Sequence, residues 1–150
     1  MYTVEEFDKL KTKILKYIMY KKRTEQEIRR KFSEEDSEML EDAIEHLKEI
    51  GYINDQNYIE RAVSEYINLN NLSIKELKYK LQTKGIKLDL IEDYIYNNSD
   101  KLEEYEINSA KNIIIKKQNA MEEQQLIQFL LKKGYKMDFI KEAIRSLVKK

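Results

Sequence analysis

The only histidine of this 150-residue chain, His46, has Asp42 four residues before it and Glu49 three after it. On a helix these side chains would share one face, and one imidazole with two carboxylates could in principle hold a metal. Nothing else in the sequence points to such a site. There is no cysteine, which excludes disulfides, thiolate zinc sites and a cysteine nucleophile. Carboxylates abound without a paired pocket, no glycine-rich phosphate loop occurs, and no serine has a plausible base. His46 therefore reads as a surface histidine, and the chain as a protein without enzymatic activity, metal or cofactor.

The chemistry on offer is basic instead. The formal net charge is zero, yet the charge is segregated along the chain. Residues 9–31 carry ten Lys/Arg against two acids, residues 34–60 carry ten acids against Lys48 alone, and residues 132–150 carry seven bases against two acids. Such segregation suits a partner with an electrostatic demand, a nucleic acid or a nucleoprotein surface. The densest set is Lys21, Lys22, Arg23, Arg29, Arg30 and Lys31.

The elements that must position these bases are helices. Proline is absent, glycine occurs three times and 37% of residues are charged, a composition that favours an all-α fold. Thr3-x-x-Glu6, Thr24-x-x-Glu27 and Ser73-x-x-Glu76 each fit a capping box. The pattern predicts nine helices, over about 5–19, 25–32, 37–50, 55–69, 74–84, 88–97, 100–117, 122–133 and 137–149. No apolar run is long enough to span a membrane and the N-terminus is acidic, unlike a signal peptide, so a cytoplasmic protein is expected.

A repeat organises the helices. Ile28, Leu77 and Leu126 are 49 residues apart, as are Phe32, Leu81 and Leu130. Gly85 and Gly134 share one offset, where a left-handed residue would end the preceding helix. In the first unit the matching gap is two residues shorter and lacks glycine, so that turn must be built differently. The expected fold is an elongated α-solenoid of three tandem three-helix repeats, covering residues 1–53, 54–98 and 99–150.

Within this frame Ile28 and Phe32 mark the buried face of their helix, so Arg29 and Arg30 should point outward. Lys78 and Lys80 repeat the places of Arg29 and Lys31 one unit along, and Lys84, Lys132 and Lys133 extend the basic set. Regularly spaced bases would suit a helical nucleoprotein groove with phosphates inside. In the third unit Ile127 and Phe129 replace the bases, and helix 122–133, apolar nearly all round, is expected to be buried between neighbours. At the first junction Leu40, Ala43, Ile44, Leu47 and Ile50 mark an apolar face and Gly51 ends the helix. Tyr52 and Ile53 should dock onto the helix ends, and Asn54 or Asp55 should cap the next helix.

That junction resembles the RecX family, small bacterial modulators of the RecA recombinase. The family pattern Leu-Gly-Tyr-Leu-Asp-Asp, followed by a helix opening on an aromatic, reads here as Ile50-Gly51-Tyr52-Ile53-Asn54-Asp55 with Tyr58 at the aromatic place. Arg23-Thr24 through Lys31-Phe32, Ser73 through Lys84-Gly85-Ile86, and Phe129-Leu130 through Gly134-Tyr135 match further family patterns. The resemblance covers about residues 13–148. It departs at Asn54, where the family prefers Asp, and at Asn57, where Arg is common; many members are basic, whereas this chain is neutral.

The resemblance implies a monomeric regulator that binds RecA filaments on single- or double-stranded DNA and mainly inhibits filament growth, ATP hydrolysis and strand exchange. Gly51, Tyr52, Asp55 and Tyr58 would be its signature junction. The alternatives are a stand-alone DNA-binding protein, with helices 25–32 and 37–50 as a helix-turn-helix, and a generic helical scaffold. Glu41, Asp42, Glu45 and Glu49 on the second of those helices would be repelled by a major groove.

Overall fold

The first five helices start where a side chain accepts from a free N–H group of the first turn. The computed structural model describes residues 1–148. Its helices are α1 (Val4–Tyr20), α2 (Glu25–Lys31), α3 (Ser37–Glu49), α4 (Asp55–Leu69), α5 (Ile74–Thr83), α6 (Leu88–Asn97), α7 (Ser99–Lys117), α8 (Glu123–Lys133) and α9 (Met137–Val148), with no strand among the described residues. The three expected capping boxes form: Thr3, Thr24 and Ser73 each accept from the backbone N–H three residues on, and that residue's glutamate accepts in return. Asp36 caps α3 and Asn54 caps α4, accepting from the N–H groups of Met39 and Asn57.

The apolar faces collect into three clusters. Leu10, Ile14, Ile28, Ile44 and Leu47 lie at the centre of the first, which joins α1, α2 and α3. Ile59, Val63, Leu77, Leu81 and Ile91 form the second, and α7 reaches into it with Leu102 and Tyr105. The remainder of α7 joins α8 and α9 through Ala110, Leu126, Leu130 and Ile140. The result is an elongated all-α solenoid of three-helix repeats. Its surface of 10056 Å² exceeds the ~8,100 Å² expected of a compact monomer of 18.1 kDa.

Polar contacts also join one unit to the next. The Thr24 hydroxyl, besides capping α2, donates to the carbonyl of Lys84 at the end of α5, 2.6 Å away. One period later Ser73 does the same to Lys133 at the end of α8, at 2.8 Å. Both hydroxyl residues are fully buried. A carboxylate of the next unit completes each joint. Asp55 accepts from the N–H of Glu25 at 2.9 Å, and Glu106 accepts from the N–H groups of Ile74 at 2.7 Å and Lys136 at 3.2 Å.

This joint explains the glycines. Gly85 and Gly134 have φ of +89° and +102°, and each lies against the preceding unit. A Cβ on Gly85 would stand 2.3 Å from Gln26 Cβ, and one on Gly134 would stand 2.8 Å from Lys75 Cβ and 3.2 Å from Ser73 Oγ. The end of α2 is not the end that a joint hydroxyl approaches, and it manages without glycine. Phe32 ends the helix at φ −107°, Glu35 N–H turns back to the Phe32 carbonyl, and Asp36 opens α3.

Two sequence expectations, at the junction and in the third unit, are corrected, and one alternative is decided. Ile50 and Tyr52 are exposed, at 53% and 55%, because the chain turns at Gly51 (φ +86°) and only Ile53 folds back into the core. Of the two candidate caps for α4, Asn54 takes the role, which leaves Asp55 free to reach α2. Helix α8 buries only Leu126 and Leu130, with Leu131 and Gln128 in solvent, so it is not enclosed between neighbours.

The three glycines should therefore respond differently to alanine. Gly51 has open space around it, so Gly51→Ala should cost only the left-handed backbone term, ~1 kcal/mol. Gly134→Ala carries the same backbone cost and also pushes on Ser73 and Lys75, so it should cost ~2 kcal/mol or more. Urea denaturation compares them, and equal losses would refute the close-approach role of Gly134.

Candidate partner-binding surface

The predicted bases divide into engaged and free. Arg29 sits one turn from Glu25 and opposite Glu41 on α3. Its guanidinium bonds Glu41 at 2.6 and 3.1 Å and Glu25 at 3.0 Å. Lys48 adds a 3.1 Å pair to Glu25, so that four charges tie α2 to α3. Lys78, the counterpart of Arg29 one unit on, pairs with Glu92 at 3.7 Å. Lys133 spans a joint, pairing with Glu76 at 3.1 Å. Arg29 and Lys78 thus fasten each unit's second helix to its third, and the expectation that Arg29 simply projects into solvent is corrected.

The electrostatics follow from this arrangement. Burial would raise the Glu25 carboxyl, but the hydrogen bonds from Lys48 and Arg29 outweigh it and hold it below the usual 4.5. The Arg29 hydrogen bond likewise lowers Glu41. The bond from Glu41 raises Arg29 further.

Arg23 and Lys31 meet at one ring. Arg23 lies over Tyr17 at 4.1 Å and Lys31 at 5.7 Å, while Phe32 meets the ring edge-on. Arg30, Lys31, Lys80 and Lys132 are exposed, as are Lys21 and Lys22, and Lys84 is half-buried at the end of α5. In the third unit, where apolar residues replace the bases, Lys117 and Lys133 stand over Phe129 at 5.0 and 5.8 Å. Positive charge returns to that place from the flanks. No described contact brings Lys80 or Lys132 to the Tyr17 group.

At the signature junction, Gly51 supplies the left-handed turn and Asp55 the inter-unit bond, while Tyr52 is left in solvent. Tyr58 is half-buried, and burial pushes its hydroxyl up to about 12. His46 packs edge-on against Phe7. Asp42 is taken by the Tyr2 hydroxyl, and among the described residues no group of three or more His, Asp or Glu could hold a metal.

Sequence reasoning missed Glu106. It is 1% exposed and lies on the buried stripe of α7 with Leu102, Tyr105, Ser109, Ala110 and Ile113. An acid at that spacing inside an apolar stripe was the available signal. No helix among the described residues is long and apolar enough to cross a membrane.

Comparison with known proteins gives a consistent result. No family model matches the sequence. The regulatory protein RecX of Clostridium perfringens (strain SM101 / Type A) is 31% identical over 95% of this chain and 70% of its own length. The crystal structure of RecX from Lactobacillus salivarius superposes with a TM-score of 0.80 at 26% identity, over 97% of this chain and 98% of that one. A second crystal structure of regulatory protein RecX gives 0.79 at 25% identity, over 93% of this chain and 73% of that one.

The carboxylates predict a two-limbed pH dependence. Burial raises Glu106 above 4.5, offset only in part by the N–H groups of Ile74 and Lys136, and burial likewise raises Asp55. A carboxyl raised on folding holds its proton more tightly in the folded chain, so its stabilisation is lost as pH rises through the folded value. Glu25 and Glu41, lowered on folding, stabilise at neutral pH and lose that contribution as pH falls below 4.5. Unfolding free energy should rise as pH falls from neutral towards the ordinary carboxylate range, then decline below it. Glu106→Gln should flatten the upper limb and spare the lower one in urea titrations at stepped pH; an unchanged upper limb would refute the assignment.

Proposed function

This chain belongs to the RecX family of regulatory proteins, and on that premise we propose that it binds filaments of the RecA recombinase on DNA and restrains them. Restraint here means slower filament growth and less ATP hydrolysis and strand exchange, in the setting of recombination and DNA repair. The observation that carries the reading is the family match along nearly the whole chain. The disposition of charge supports it. The solenoid keeps Lys21, Lys22, Arg30, Lys31, Lys80 and Lys132 in solvent, while Arg29, Lys78 and Lys133 are held by carboxylates within the fold.

An elongated body with net charge near zero has little general attraction for nucleic acid. Its exposed bases act where a filament surface brings phosphates and protein together, so filaments should be preferred to free DNA. The helix-turn-helix alternative gains no support. The exposed face of α3 carries Glu38, Glu41, Asp42, Glu45 and Glu49, and Arg29 on the neighbouring helix is committed to Glu41.

The test is RecA ATPase on single-stranded DNA, titrated with the wild type and with Arg30→Glu/Lys80→Glu at several salt concentrations. Both residues are exposed and belong to no ion pair among the described residues, so the fold should be kept. The wild type should inhibit. The variant should inhibit less, and its log–log salt slope should fall by roughly 0.7–0.9 for each phosphate contact removed. An ATPase untouched by wild type refutes the regulator; equal inhibition by both refutes the role of this row.

A further inference from the structure

The two joints that stack the units share a centre and differ around it. At both, a buried hydroxyl meets the last carbonyls of a helix in the next unit, and a glycine lies against the helix start. Around the second joint apolar packing runs on from unit to unit. Leu102 and Tyr105 of α7 are buried in the cluster that α4, α5 and α6 build. The Lys133–Glu76 pair and the Asn112 amide, which donates to the Asn70 carbonyl at 3.0 Å, fasten its edge.

The first joint has no such surround. Every residue of the first cluster lies between Tyr2 and Ile53, and every residue of the second between Tyr58 and Tyr105, so neither spans it. No helix of the first unit packs along a helix of the second, whereas α6 packs on α7. Among the described residues no ion pair crosses the joint. What crosses it are hydrogen bonds: Thr24 hydroxyl to the Lys84 carbonyl, Glu25 N–H to Asp55, and Lys22 Nζ to Asn57 Oδ1 at 3.3 Å. Beside them a gap of about 240 Å³ separates Lys21 and Lys22 from Tyr58, Arg61, Ala62 and Glu65 on α4. Cations on both walls, against the single acid Glu65, oppose its closure.

The covalent link is as narrow. The N–H groups of Tyr52 and Ile53 both return to the Leu47 carbonyl, and Ile53 is buried in the first cluster, so the first unit is fixed as far as Ile53. Helix α4 begins at Asp55, and the chain passes between the units at Asn54, extended at φ −154°.

We propose that the first joint is a hinge. Residues 1–53 turn as one rigid body against a second body made of the other two units. The axis runs through Asn54 and the Thr24–Lys84 contact, since two points of attachment leave one rotation free. Glu25–Asp55 and Lys22–Asn57 are the bonds that must adjust; neither is fully buried, so water can replace each at small net cost. The gap supplies the room. The same rotation at the second joint would strip Leu102 and Tyr105 of their burial and part Lys133 from Glu76, so the second and third units move together. Hinge motions of this kind run in microseconds to milliseconds. The hinge follows from the fold alone and needs no partner.

The chain contains no cysteine, so introduced cysteine pairs carry spin labels uniquely. Pulsed electron–electron resonance on the full chain gives distance distributions for three pairs. Lys9→Cys/Tyr96→Cys spans the first joint, Tyr96→Cys/Lys141→Cys spans the second, and Lys9→Cys/Arg30→Cys lies within the first unit; all four positions are exposed. The first-joint distribution should be at least about twice as wide as the other two. Asp55→Ala removes an acceptor at the first joint and should widen that distribution further while leaving the second unchanged. Should Asp55→Ala lose helical circular dichroism, Lys22→Ala removes the exposed bond in its place, with the same expectation. Equal widths at the two joints overturn the hinge. So does a distribution within the first unit as wide as the one across its joint, which would mean a loose unit and not a turning one. Widening at both joints by either variant would show a single coupled body and overturns it as well.

Discussion

The solenoid depends on a hydroxyl that makes two hydrogen bonds at once. Thr24 and Ser73 each accept from the third N–H of their own helix and donate to the last carbonyls of the corresponding helix in the next unit. Only a hydroxyl combines a donor with acceptor lone pairs on so short a side chain. Asp36 and Asn54 serve as caps away from these points, where no carbonyl needs a partner. A carboxylate at position 24 or 73 would satisfy the cap and repel the carbonyl. The same contact sets the positive N-terminal end of one helix against the negative C-terminal end of another, so the helix dipoles favour the stacking.

From this constraint the other features of the joints follow. A carbonyl drawn this close to a buried cap requires that the next residue lack a Cβ, hence Gly85 and Gly134. The remaining N–H groups at the helix start need acceptors, hence Asp55 and Glu106 from the following unit. The two joints are not equal. The second has a fully buried carboxylate holding two N–H groups, the Lys133–Glu76 pair and the Tyr105 hydroxyl on Leu72 N–H. The first has a half-buried Asp55 with a single N–H and a cavity lined by unpaired cations. Buried polar contacts are concentrated at one joint and solvated charge at the other.

The helices and their ends were legible because their signals are local. Capping boxes, the 49-residue spacing and three isolated glycines each act within a turn or two of where they are read. Partners across space were not. Helical geometry turns Arg29 away from Ile28, but nothing in the sequence says that Glu41 waits opposite. Asn54 and Asp55 offer the same capping chemistry, and only the three-dimensional path decides between them. Tyr52 differs for the opposite reason: an aromatic beside a core residue suggests burial, yet one turn at Gly51 sends Tyr52 out and Ile53 in. Of the site, the basic residues were visible and their availability was not. Arg61 drew no notice because its cationic neighbours lie some 40 residues earlier in the chain.

Availability is the property that matters for recognition here. With the net charge at zero, the chain has no long-range field to draw it to nucleic acid, and at physiological ionic strength surface charges act over only ~8 Å. Bases paired within the fold are already satisfied and give a phosphate little reason to displace their carboxylates. Under the proposed function, binding comes from the few cations that the fold leaves unpaired, acting at contact distance on a partner whose shape brings phosphates to them. An elongated repeat body meets that demand. It spreads a small number of free charges over a long surface, and a partner with matching extension can satisfy several together while an isolated strand engages only a few.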